Sequence, residues 1–137
     1  MKKLAVLFLL SVMVFSCSMD DNENKYHYEF LPVESFEVPD SFEFGQIYTI
    51  SVFYKRPNDC HTNQSLYFEK KDSTRTIAIQ SLVLDKSTCN LLPDEESHKG
   101  TFEFEVLNST TYLFKFYKGK DENGEDVFEE VIIPVIN

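Results

Sequence analysis

Three cysteines, three histidines and a surplus of carboxylates are the residues of this 137-residue chain with chemistry to offer. Cys60-His61 together with Cys89 supplies three soft ligands, but no paired spacing of the C-x-x-C kind that builds a zinc site. A bond between Cys60 and Cys89 would instead close a loop of about 30 residues and be worth roughly 3–4 kcal/mol by the chain-entropy argument. His27, His61 and His98 show no spacing that would share an ion, so no metal and no cofactor is expected. No G-x-S-x-G, phosphate-binding loop or H-E-x-x-H occurs, and the chain is read as non-enzymatic.

The carboxylates are numerous enough to set the net charge at −10 and the pI near 4.7. Phosphate would be repelled, which argues against a nucleic-acid partner, and anionic lipid would be repelled as well. Asp121-Glu122-Asn123-Gly124-Glu125-Asp126 has the look of a calcium loop. Its Gly falls at position four where position six is needed, and no Glu occupies position twelve. A solvated hairpin tip is therefore the expected role, with calcium binding by the acidic loops as the alternative.

The third cysteine stands apart from the pair. Lys2 and Lys3 precede an apolar run from Leu4 to Phe15, and Ser16-Cys17 closes it. A basic start, a short apolar core and a small residue before the cut form a secretory signal. The run is too short for a spanning helix, which takes about 20 residues. Ser16-Cys17 resembles the cleavage box of bacterial lipoproteins processed by the lipoprotein signal peptidase. That resemblance implies an acylated Cys17 and a mature protein held on a membrane by its lipid. Residues 1–16 are then leader, 17–25 the lipidated cysteine and a polar tether, and 26–137 one domain. Removing the leader takes two of the thirteen Lys and Arg and none of the twenty-three acids, so the mature net charge becomes −12. Export also fits a disulfide between Cys60 and Cys89, because the compartment is oxidising. Ser18, Asp20, Asp21 and Glu23 resemble the surface-export signal of Bacteroidota lipoproteins; an ordinary polar linker explains them equally well.

The elements that must position these groups follow period-two patterns. Phe102, Phe104 and Val106 alternate with Glu103 and Glu105; Tyr112, Phe114 and Phe116 alternate likewise, as do Tyr48, Ile50, Val52 and Tyr54. Each pattern predicts a half-buried strand. The spacing predicts strands at 33–38, 46–55, 65–70, 74–85, 99–107, 110–118 and 126–136, with a bulge where the phase slips at Gln80-Ser81. Pro93 to Ser97 is the one candidate for a short helical turn. Asn123-Gly124 predicts a tight hairpin with positive φ at both central positions. Pro32 allows Tyr26 to Phe30 to form a separate, reversed strand.

Seven or eight strands with regular turns predict an immunoglobulin-like antiparallel β-sandwich, with an eight-stranded lipocalin-like barrel as the alternative. In immunoglobulin-like order the loops 56–64, 86–98 and 119–125 share one end, which gathers Asp59, Asp94, Glu95, Glu96, Asp121, Glu122, Glu125 and Asp126 and makes the Cys60–Cys89 bridge reasonable. Leu107 to Tyr112 resembles the tyrosine corner of such domains, in which the Tyr112 hydroxyl would bond to upstream backbone; a plain core tyrosine is the other reading. Phe53, Tyr67 and Tyr117 fall off the apolar phase and could face out as a carbohydrate-binding surface.

From Val38 to Val135 the chain is similar in build to small uncharacterised lipoproteins of the Bacteroidota. The likeness rests on Gly45 to Ile50, the Pro57 to Cys60 turn, Thr111-Tyr112 with Phe114-Lys115-Phe116, and Gly119 to Asp126. Asp72-Ser73-Thr74 resembles their short O-glycosylation site, although a turn accounts for it equally. The expectation is a monomeric, lipid-anchored outer-membrane protein at the cell surface or on the periplasmic face. Its expected work is non-enzymatic binding of an unknown protein or glycan; a sugar-binding accessory protein is the first rival and an envelope hydrolase the second.

Overall fold

The computed structural model describes residues 25–137; the leader, Cys17 and the tether up to Asn24 lie outside the described residues. The described chain is all-β, with 62% of residues in strands, no helix, and no sheet closed into a barrel. The sandwich is the architecture, and the lipocalin-like alternative is excluded.

Ten strands form in order: β1 (Tyr26–Leu31), β2 (Ser35–Glu37), β3 (Phe42–Glu43), β4 (Ile47–Tyr54), β5 (His61–Lys71), β6 (Thr74–Leu84), β7 (His98–Glu105), β8 (Tyr112–Lys120), β9 (Asp126–Ile133) and β10 (Val135–Ile136). One sheet holds β1, β5, β6, β8 and β9; a second runs β2-β4-β7; β3 and β10 make a small parallel pair. The expected 46–55 and 99–107 strands pair antiparallel as β4 and β7, and the 110–118 and 126–136 strands pair as β8 and β9.

β6 organises the larger sheet. β5 covers one edge over its full length, from His61↔Val83 to Lys71↔Thr74. The other edge is divided. β8 runs parallel to Thr74–Ile77, and β1 runs antiparallel to Ile79–Leu84. Because β6 and β8 are parallel, the loops after each lie at the same end, as the immunoglobulin-like order required.

Two prolines mark where the chain changes sheets. Pro32 has no N–H to lose. Just after it, the Val33 N–H donates to Tyr117 O of the larger sheet (2.8 Å), and the Glu34 N–H donates to Phe53 O of the smaller (2.8 Å). Lys118 Nζ donates to the Val33 and Glu34 carbonyls at 2.7 and 2.9 Å. β1 is thus a separate strand, as its position before Pro32 allowed. It is not reversed, because the chain passes from β1 to β2 without a turn. Pro134 divides β9 from β10 in the same way, splitting the expected 126–136 strand.

Other local differences have physical causes. β6 keeps one inner face without a slip (Arg75, Ile77, Ile79, Ser81 and Val83), and the irregularity sits opposite it, between Thr62 and Ser65 of β5. Asn63 there takes φ +49°, and the buried Ser81 hydroxyl donates to Thr62 O at 3.2 Å. The bulge therefore satisfies a polar residue that the core-facing phase of β6 buries. The hairpin at Gly124 is longer than the two-residue turn expected. Only Gly124 has positive φ, and Asp121 Oδ1 accepts from Asn123 and Glu125 N–H. An Asx turn closed by a left-handed glycine replaces the tighter form. Pro93 to Ser97 forms a turn and not a helix; the Glu95 N–H donates to Leu92 O.

The core is aromatic. Phe36 of β2 stacks on Phe116 of β8 across the two sheets, with ring centroids 3.8 Å apart. Phe42, Phe104, Tyr112 and Phe114 meet at centroid distances of 5.1 to 6.4 Å. The buried Arg75 guanidinium lies over the Tyr112 ring at 5.1 Å and the Phe104 ring at 5.8 Å, and donates to the carbonyls of Asp72 and Thr74. Ring faces and carbonyls stand in for the missing carboxylate, and burial holds the Arg75 pKa below its ordinary value. The tyrosine corner is present: the Asn108 N–H donates to Tyr112 Oη at 3.0 Å.

Tyr112→Phe should lower stability by about 0.5–1.5 kcal/mol, the net worth of one hydrogen bond. Phe116→Ala should cost about 3–5 kcal/mol through the cavity it leaves. Urea titration of both variants checks the ranking.

Candidate functional site

β1 alternates strictly, and its two faces have different chemistry. Leu31 turns into the core, so His27 and Glu29 share its side while Tyr26, Tyr28 and Phe30 point outward. The outward rings join others on the outer face of the larger sheet. Phe30 lies 4.7 Å from Tyr67 of β5 and 5.9 Å from Tyr117 of β8, and Tyr117 lies 5.9 Å from Phe128 of β9. Lys115 Nζ stands 4.6 Å above the Phe128 ring. The row crosses four strands, of which only β8 and β9 are neighbours in sequence. Ala78 is only 2% exposed beneath it, a small residue that leaves room for Phe30 and Tyr67 to meet. Tyr28 is 70% exposed and Tyr26 48%.

Two concavities flank the row. One, of about 550 Å³, is lined by Tyr28, Glu29, Phe30, Pro32, Tyr117, Gly119, Lys120 and Asp126. It opens where β1 and β8 part company along β6. Gly119 shapes its floor: its φ is +108° at the bulge after Tyr117, and an added Cβ would lie 3.6 Å from the Pro32 ring. The other, of about 460 Å³, is lined by Lys71, Asp72, Thr74, Lys115 and Phe128 among others. Tyr67 Oη donates to Glu69 Oε2 at 3.0 Å. Aromatic faces beside charged and hydroxyl groups suit a ligand with both apolar and polar surfaces.

Two of the three off-phase aromatics of the sequence meet on this face. Tyr67 lines it, and Tyr117 is buried within it, 5% exposed beneath its neighbours. Phe53 lies on β4 of the other sheet, with Lys99 Nζ 5.7 Å over its ring. Phe30 and Phe128, which complete the row, were not singled out by sequence. The alternation Tyr26-His27-Tyr28-Glu29-Phe30 was the signal available.

The loop end differs from expectation in what its acids do. Cys60 and Cys89 are bonded, with Cα atoms 5.6 Å apart, as their pairing predicted. The bridge staples 55–60 to 85–97, which also share an Asn58↔Leu91 bridge. Asp59 accepts from the Asn90 backbone and side chain, each at 2.9 Å, and these bonds hold its carboxyl below the usual range. Asp59 also lies beside both sulfurs, but sulfurs bonded to one another are not thiolate ligands. Glu95 pairs with Arg56 and His98. Asp126 takes Lys120 at 2.7 Å, and Asp121 caps its own hairpin. Four of the eight carboxylates, Asp59, Glu95, Asp121 and Asp126, thus satisfy local donors. Cys17 lies outside the described residues.

A second polar group was invisible in sequence. His27 and His61 both pair with Val83, one from each side of β6. His27 Nδ1 is 2.6 Å from Asp85 Oδ1 and its Nε2 3.3 Å from Glu29 Oε2. Those contacts, Asp85 first, raise the His27 pKa. His61 is 4% exposed, and its Nδ1 lies 2.8 Å from Asn58 Oδ1.

No family model matches the chain, and neither does any curated protein or solved structure.

Replacing both Cys60 and Cys89 with Ala should cost about 3–4 kcal/mol for the loop they close, read as a lower urea midpoint than wild type under non-reducing conditions. The Glu95 pair predicts a pH signature. Desolvation raises its pKa, but the Arg56 and His98 bonds outweigh it and the net shift is downward. A lowered acid contributes stability above its ordinary pKa of 4.5 and loses it as pH falls through the folded value. Glu95→Gln should therefore lower Tm near neutrality, and the gap to wild type should narrow as pH falls below 4.5.

Proposed function

We propose that the protein is a non-enzymatic binding module of the cell envelope, carried on the outer membrane by lipid on Cys17, and that its ligand is a glycan held on the outer aromatic face of the larger sheet. The face itself carries the reading: Tyr28, Phe30, Tyr67 and Phe128 present their rings around the buried Tyr117, edged by Glu69, Lys115, Lys120 and Asp126. Sugars present apolar C–H faces and a rim of hydroxyls, and flat rings bordered by charged acceptors and donors match both. The contact region shifts accordingly from the acidic loop end to the sheet face. A mature charge of −12 favours neutral or cationic glycans over sulfated ones.

Two measurements test the two halves separately. Tyr28→Ala and Phe30→Ala should each weaken binding to a glycan array by about tenfold, roughly 1.4 kcal/mol, while Tm stays near wild type for the exposed Tyr28. Absence of any glycan retained by the wild-type protein would remove the sugar assignment. Cys17→Ala should release the protein from membranes, and protease shaving of intact cells reads which side it faces. Unchanged size and fractionation of Cys17→Ala would remove the lipid anchor and leave the sugar assignment standing.

A further inference from the structure

We infer that the cleft between β1 and β8 receives the terminal unit of a neutral glycan, and that the Tyr117 hydroxyl and the Lys120–Asp126 pair read the hydroxyls of that unit; this rests on the glycan reading and narrows it from a face to one cleft. Backbone closes one end of the cleft. The Val33 N–H donates to Tyr117 O at 2.8 Å, and Pro32 and Gly119 line the cleft there. Its volume of about 550 Å³ lies within the range of small-ligand pockets. A cleft closed at one end suits the end of a sugar chain better than a chain that runs through.

Tyr117 is the residue that points to a ligand. It is 5% exposed, with Phe30 and Phe128 each 5.9 Å from its ring. Its hydroxyl has no hydrogen-bond partner among the described residues, unlike that of Tyr112, which the Asn108 N–H reaches. The charges around that hydroxyl are Asp126, Lys120 and Glu29, all of which line the cleft. Burial first, and then Asp126, raise the Tyr117 pKa above the ordinary phenol value, so the group stays a neutral O–H donor. A nearly buried phenol without an acceptor is costly until water or a ligand supplies one. Lys120 Nζ donates to Asp126 Oδ1 at 2.7 Å. That ammonium keeps hydrogens to spare and the carboxylate lone pairs to spare, which matches two adjacent sugar hydroxyls, one accepting and one donating. Glu29 and Asp126 would repel an acidic sugar. Lys120 and protonated His27, whose Nε2 is 3.3 Å from Glu29 Oε2, balance them, so no amine is required and the class is neutral.

The test uses the full chain in detergent, with free glucose, galactose, mannose, N-acetylglucosamine and glucuronate in large excess. Each is a competitor against the glycan array and an additive in thermal melts. A neutral sugar should release array-bound protein and raise Tm; glucuronate should do neither. Tyr117→Phe should weaken that competition about tenfold and keep the wild-type Tm, because the hydroxyl it removes has no partner within the protein. A purely structural tyrosine would lose stability instead, as expected of Tyr112→Phe. Asp126→Asn should weaken competition by a similar factor. Glu103→Gln, on the other sheet, should change neither competition nor glycan retention. Array glycans that no neutral monosaccharide displaces, competition by glucuronate, or full affinity in Tyr117→Phe overturns the cleft assignment and leaves the glycan face standing. Wild-type protein that retains no array glycan and gains no Tm from any of these sugars removes both.

Discussion

The edges of β6 are the constraint on which the rest of this molecule depends. A strand has two rows of backbone donors and acceptors, and each row has to be filled where it is buried. β5 fills one row alone. The other is filled by two strands placed end to end, β8 beside Thr74–Ile77 and β1 beside Ile79–Leu84. Where those two strands meet, neither can continue along β6. β1 therefore leaves for the second sheet through Pro32, and β8 runs on past Tyr117 into its bulge. The cleft between them is the direct result.

Both polar and aromatic features follow from that arrangement. β1 and β5 become neighbours of the same strand, so residues that face Val83 from either side come together: His27 from one and His61 from the other. On the opposite face the same spacing brings Phe30 of β1 against Tyr67 of β5, over the small side chain of Ala78. At the other end of β6, Arg75 reaches the rings of Tyr112 and Phe104 and ties the β5–β6 hairpin to the core. One strand thus connects the inter-sheet core, the outer aromatic face and the histidine cluster. Changes in any of the three should be felt through β6.

The loop end depends on a covalent restraint. Few apolar side chains cover 55–60 and 85–97; Leu91 is 77% exposed. Segments so poor in buried apolar surface gain little from packing. The Cys60–Cys89 bond and the Asp59, Asn90, Arg56 and Glu95 contacts hold them instead. That network also sets Asn58, which accepts from Cys60 and from His61 with the same oxygen. The disulfide and the buried histidine are therefore coupled through one side chain.

The sequence by itself determined what depends on local pattern. Alternation of Phe102, Phe104 and Val106, and of Tyr112, Phe114 and Phe116, was enough for the strands and their buried faces, because side-chain direction in a strand has a period of two. The cysteine count and the punctuation by Pro and Gly were enough for the Cys60–Cys89 pairing and the loops. Tyr112 could be read as a corner because its partner, Asn108, is only four residues away. Tertiary structure alone decided which strands became neighbours. His27 and His61 are 34 positions apart, and Phe30 and Tyr67 are 37 apart. No local periodicity carries such distances, since strand pairing is settled by which edges close the whole sheet. The fate of the acidic residues was hidden for the same reason. Whether Glu95 meets an ion or Arg56 depends on a fold that brings two loops together, and charge along the chain says nothing of that.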